Sequence, residues 1–173
     1  STQVSFNGFH DFSFAASIPD GKDRKEIERI ANLELAEGRM LKDGDGKKVV
    51  LGINYLHPAT FGKPVALRDT VTIHGESFEV IGILEKKGSF IIDNAILMNE
   101  EVMRDLFAVN DTYDVLVAVV QPGQDMARVK GRVENYLRKE RDVAEGEEDF
   151  SVESPEQALA SLDTTLFAIQ IFV

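Results

Sequence analysis

The chain has 173 residues, a formal net charge of −11, 43% apolar and 28% charged residues, and neither Cys nor Trp. That length allows one domain or two small lobes, with an ordinary composition for a folded protein. The acidity argues against a phosphate-backbone or anionic-lipid partner, and without Cys there is no disulfide, thiol nucleophile or thiolate metal site.

Ser1-Thr2-Gln3 is neither an initiator Met nor a signal peptide, which points to a piece of a longer chain. Phe9–Ile18 is a strand candidate with Phe12, Phe14 and Ala16 on one face, and Asp11 and Ser13 on the other. Pro19-Asp20-Gly21 turns the chain. Residues 23–32 then read as a helix, with Ile27, Ile30 and Ala31 at the i, i+3, i+4 positions. Within 33–41, Gly38-Arg39 is expected to end whatever helix lies there. Asp43-Gly44-Asp45-Gly46 reads as a surface turn before a short strand, Val49-Val50-Leu51. Residues 53–61 suit a helical segment whose regularity Pro58 limits.

Residues 62–107 carry the clearest pattern. Val71-Thr72-Ile73 and Phe78-Glu79-Val80-Ile81-Gly82-Ile83-Leu84 alternate about a Gly-containing link, which predicts a hairpin. Phe90-Ile91-Ile92 and Ala95-Ile96-Leu97-Met98 are two further strand candidates. Asn99 suits a helix N-cap, followed by Glu100 and Glu101 in the first turn and by Val102, Leu106 and Phe107 as an apolar face.

Residues 113–120 are rich in Val and predict a strand, closed by Gln121-Pro122-Gly123. Residues 125–141 predict a helix with Met126, Val129, Val133, Tyr136 and Leu137 on one stripe. Phe150-Ser151-Val152 supplies another short strand, and two parallel strands around that helix would cross right-handed. Ser154 and Pro155 open a last helix through Ala158, Leu159 and Leu162. Residues 166–173 are mostly apolar. Eight residues fall short of the about 20 that span a bilayer, so they read equally as a docked terminal element or as the first turns of a transmembrane helix. The pattern divides the chain into an α+β lobe made from both flanks, 1–61 and 108–162, a β-rich lobe of 62–107 inserted between them, and an apolar end at 163–173.

Candidate chemistry is sparse. An EF-hand reading of the loop beginning at Asp43 fails, because Lys47 and Lys48 stand at its fifth and sixth positions and Asn54 at its twelfth. His10, His57 and His74 lack metal-ligand spacing. The scattered glycines form no phosphate loop, and no Gly-Lys-Ser/Thr occurs. Arg128, Lys130, Arg132, Arg138, Lys139 and Arg141 make one helix basic, and Glu145, Glu147, Glu148 and Asp149 follow it. That helix reads as a solvated element with dipole-matched cations rather than a docking face. No catalytic, cofactor-binding or metal-ligating residue is assigned, and no cofactor is expected. An enzyme would need a nucleophile, base and orienting carboxylate assembled by folding.

Four stretches carry a family resemblance. Leu35-Ala36-Glu37-Gly38-Arg39 resembles a small-residue Glu-Gly-Arg motif, and Lys48-Val49-Val50-Leu51-Gly52 the strand after it. Phe61-Gly62-Lys63-Pro64-Val65 resembles a Gly-Lys turn, and residues 78–84 the strand that follows. Asp93 to Met98 and Asp149-Phe150-Ser151-Val152 fit later elements. Over residues 9–162 the chain resembles the extracytoplasmic core domain of MacB-type, FtsX-like ABC transporter permeases. The resemblance implies a porter-like α+β lobe beside the β-rich one, in a domain inserted between the first two transmembrane helices. Family members usually carry another strand–helix portion before the segment matching Phe9 onward, so the α+β lobe is expected to be incomplete, reduced or completed by another chain. A permease homodimer or heterodimer, a cytoplasmic ATPase subunit or domain, and an extracytoplasmic adaptor or cargo are the implied partners. The implied role is transmission of ATP-driven motion without catalysis; the alternative is a module that captures a small molecule, peptide or lipid between lobes.

Overall fold

The computed structural model describes residues 2–109, 113, 115–154 and 157. The chain divides into two compact units between Leu116 and Val117.

The first unit is built on seven strands in a mixed sheet. β1 (Thr2–Phe6) and β2 (Phe9–Ile18) pair antiparallel across Asn7-Gly8. Both linking residues have positive φ, 53° and 80°, the geometry an Asn-Gly hairpin supplies. β2 runs parallel to β7 (Ala95–Asn99), and β7 antiparallel to β4 (Lys48–Leu51). β4 runs parallel to β6 (Glu76–Leu84), which pairs antiparallel with β5 (Thr70–Ile73). β5 returns to β1, Val4 opposite Ile73. Six strands therefore close into a barrel, and β3 (Leu35–Gly38) extends the far half of β6.

Alternation along each strand sorts side chains into the barrel or out of it. Val4, Val49, Val71, Ile73, Phe78 and Ile96 are among those filling the interior. A 3₁₀ turn (Ile53–Leu56) and α2 (Pro58–Phe61) plug one mouth; there Tyr55 stacks on Phe61 at 5.8 Å and Phe6 meets Phe61 edge-on at 5.9 Å. Outside the barrel a second cluster of Ile18, Leu41, Val50, Leu84 and Leu97 forms, with Ile27 of α1 (Lys22–Ile30) packed on it. α4 (Glu100–Phe107) sets half-buried Val102 and Leu106 against the interior cluster at the other mouth.

The predicted 71–84 hairpin forms, tightened to the two-residue link His74-Gly75, φ 50° and 83°. Several expectations are corrected. Residues 33–41 hold β3 rather than a helix end, because Gly38 at φ 80° lets Arg39 N–H reach the Ile81 carbonyl at 3.0 Å. Phe90-Ile91-Ile92 belongs to a helical turn, α3 (Phe90–Asp93), because Ser89 accepts from Ile92 N–H and Asp93 from the N–H groups of Lys87 and Gly88. On β2 the face that carries Ser13 is the one that turns inward. Ser13 points into the barrel at 1% exposure, whereas Phe12 is 75% exposed. The boundary expected at residue 62 does not separate lobes, since β5, β6 and β7 pair with β1, β2 and β4 in one closed sheet.

The second unit contains α5 (Met126–Arg141), whose N-cap Asp125 accepts from Arg128 N–H at 2.7 Å. Among the described residues neither 113–120 nor 150–152 forms a strand, so the expected crossover is not made there. A β pattern becomes a strand only when a ladder partner satisfies its backbone. Ser154 and Gln157 exchange capping contacts, 3.3 Å from Gln157 N–H to Ser154 Oγ and 3.2 Å in return. The rest of the predicted last helix, and the apolar stretch 166–173, lie outside the described residues. No helix among the described residues is long and apolar enough to cross a membrane.

Candidate functional site

β5 and β7 end, and β4 and β6 begin, at the mouth that α4 covers. The loop entering β4 is fixed there by Asp45. This buried carboxylate accepts from Arg39 Nη1 and Nη2 at 2.6 and 3.0 Å, Lys48 Nζ at 2.8 Å and Lys42 N–H at 2.9 Å. The Arg39 hydrogen bonds, more than any other group, hold its carboxyl well below the usual carboxylate range, against the opposing effect of burial. The loop is thus the turn expected from its sequence, with its central acid consumed by cations.

Asn99 stands at the N-cap position of α4, but its side chain does not cap the helix. Its Nδ2 donates to the carbonyls of Lys42 and Asp45 at 2.9 and 2.8 Å, and its Oδ1 accepts from Arg24 Nη2 at 3.0 Å. Arg24, only 6% exposed, also reaches Asp20 at 2.5 Å and Asp43 at 3.2 Å. One buried set therefore ties α1, the 42–46 loop and the start of α4 together. Sequence reasoning missed it: Arg24 lies among solvated charges on a short helix, and Asn99 carries an ordinary capping signal.

Beside this lock lies a cleft of about 560 Å³. Phe78, Val102 and Leu106 give it an apolar floor, and Glu76, Glu101 and Asp105 an acidic rim. Lys47 is drawn to Glu76 at 2.5 Å. Glu101 and Asp105 lie one helical turn apart and are exposed; among the described residues their carboxylates have no ion-pair partner. His74 leans on Phe107, ring centroids 5.2 Å apart.

Within the barrel Tyr55 OH donates to Ser13 Oγ at 2.5 Å, and Ser13 donates to the Asn94 carbonyl. Burial pushes the Tyr55 phenol up, far from a reactive range. This arrangement satisfies buried hydroxyls. His10, His57 and His74 sit exposed on three different elements and are not brought together. Among the described residues no group of three His, Asp or Glu is placed to hold a metal. In the second unit, Arg138 pairs with Glu148 at 2.8 Å and Arg141 with Asp149, so part of the basic helix is neutralised by the acidic stretch that follows it.

The family whose pattern matches is described as the MacB-like periplasmic core domain, over residues 12–136. The chain belongs to that family, and is an extracytoplasmic domain of a membrane-anchored ABC transporter permease. It is 30% identical over 172 residues to an uncharacterised ABC transporter permease of Methanocaldococcus jannaschii, covering 99% of this chain but 41% of that protein. Two solved structures share the fold. The periplasmic region of MacB from Actinobacillus actinomycetemcomitans superposes with a TM-score of 0.61 at 15% identity, covering 96% of this chain and 72% of that one. The extracellular domain of the noncanonic ABC-type transporter YknZ from Gram-positive bacteria gives 0.54 at 14% identity, covering 83% and 72%.

Proposed function

We propose that this domain carries ATP-driven movement of its parent permease outward to cargo or to a partner protein, and performs no catalysis itself. The observation behind this reading is the buried Arg24–Asn99–Asp45 set fastened to a filled, closed barrel. Packed interiors deform little and pass strain on, so α1, the 42–46 loop and α4 would be displaced together with the strands. The energy comes from a cytoplasmic ATPase subunit or domain, acting through a permease homodimer or heterodimer; an extracytoplasmic adaptor or cargo receives the movement.

The test uses the parent permease reconstituted with its ATPase in lipid nanodiscs. Spin labels at exposed Glu37 and Lys86 report distances between neighbouring outer domains. These distances are expected to change between nucleotide-free and ATP-trapped states. Identical distributions in both states, with ATP hydrolysis intact, would overturn the reading. A ligand-binding module is the second reading, favoured by the 560 Å³ cleft.

A further inference from the structure

We propose that the cleft under α4 receives a Lys or Arg side chain from an extracytoplasmic polypeptide. Its position suits a binding site: barrel mouths are a preferred place for ligands, and its volume of about 560 Å³ lies in the range such sites use. The charge balance decides the chemistry. Asp45 is saturated by Arg39 and Lys48, Asp20 is held by Arg24, and Glu76 by Lys47. That leaves Glu101 and Asp105, adjacent on one face of α4, as carboxylates with no cation among the described residues.

Shape narrows the ligand further. Phe78 is 1% exposed and half-buried Val102 and Leu106 stand beside it, so the floor is apolar while the charge lies at the rim. A basic side chain matches that order, with an aliphatic stem on the floor and its cationic head between two carboxylates. An anionic or phosphate-bearing ligand would meet like charge. The inference rests on the reading that this domain engages a partner, and it adds what the partner must present.

The test is a ¹⁵N-resolved titration of the 173-residue chain with N-acetyl-Leu-Lys-Leu-amide. Saturable shifts are expected at Gly75, Glu101 and Asp105, weakening with added NaCl. The peptide with norleucine in place of lysine is expected to bind about tenfold more weakly. Glu101→Gln and Asp105→Asn, separately and together, should reduce affinity without moving the melting temperature. No saturable shift at millimolar peptide, equal binding of the norleucine peptide, or unchanged affinity in the double variant would each overturn the inference. Binding of n-hexylamine as tightly as the peptide would overturn the polypeptide assignment and make this a site for small amines. Peptide binding is read without the ATPase, so its failure and the failure of motion transmission are separate results.

Discussion

Asn99 illustrates how a single amide can serve tertiary structure at the expense of its local role. At the start of α4 it would ordinarily satisfy a free helix N–H, yet all its hydrogen bonds go to Arg24 and to the carbonyls of Lys42 and Asp45. Asn99→Ala leaves the Asp45 carbonyl without its donor and removes one hydrogen bond each from Arg24, which keeps Asp20 and Asp43, and from the Lys42 carbonyl, which keeps Asp45 N–H; it is expected to cost about 1–3 kcal/mol, measured by urea denaturation. Asp45 makes the complementary case through pH. Its folded-state carboxyl is depressed by Arg39, so its contribution is present above the unfolded value, near about 4, and is lost as pH falls through the lower folded value. The stability gap between wild type and Asp45→Asn should therefore shrink as pH falls below about 4, followed by chemical denaturation at each pH. A constant gap would remove Asp45 from the account of acid sensitivity.

At the level of elements, legibility followed how local each determinant was. The 71–84 hairpin was readable because alternation and a Gly-bearing link lie within one short window, and a 3.6-residue apolar stripe announced α5. β3 was not readable, because it exists only by pairing with the end of β6, with a register shift between Leu35 and Glu37. α3 was hidden by an apolar triplet that suits a strand as well as a turn; the deciding groups, Ser89 and Asp93, flank it. Phe12, Phe14 and Ala16 gave the period of β2 but not which face turns inward, since bulk alone cannot say that small Ser13 faces Tyr55. The cleft was equally hidden: its floor comes from β6 and α4, and only folding reveals that Glu101 and Asp105 remain unmatched. The β6 irregularity also supplies a test. A Cβ on Gly82 would sit 2.5 Å from the Arg39 carbonyl and 3.1 Å from Leu35 Cδ2. Gly82→Val should thus destabilise the first unit by at least about 2 kcal/mol, since backbone must shift; an unchanged melting temperature would contradict the β3–β6 register.

For the molecule as a whole, family membership places the chain outside the membrane, while the closed barrel forms the core of its first unit. Val4 lies in the interior at 0% exposure and belongs to the strand that joins β2 to β5. Val4→Asp, which buries an unpaired charge in that interior, is expected to abolish the cooperative melting of the first unit, read by fluorescence of buried Tyr55, instead of loosening one hairpin. The ring also governs when the structure can form. Its β1–β5 seam joins residue 4 to residue 73, and the parallel β2–β7 ladder joins residue 14 to residue 95. Such distant pairings delay folding until the intervening chain is present. During export the β1–β2 ribbon must therefore wait for β5, β6 and β7 to cross the bilayer behind it. The interval between arrival and ring closure is when an extracytoplasmic chaperone or protease would find this domain most vulnerable.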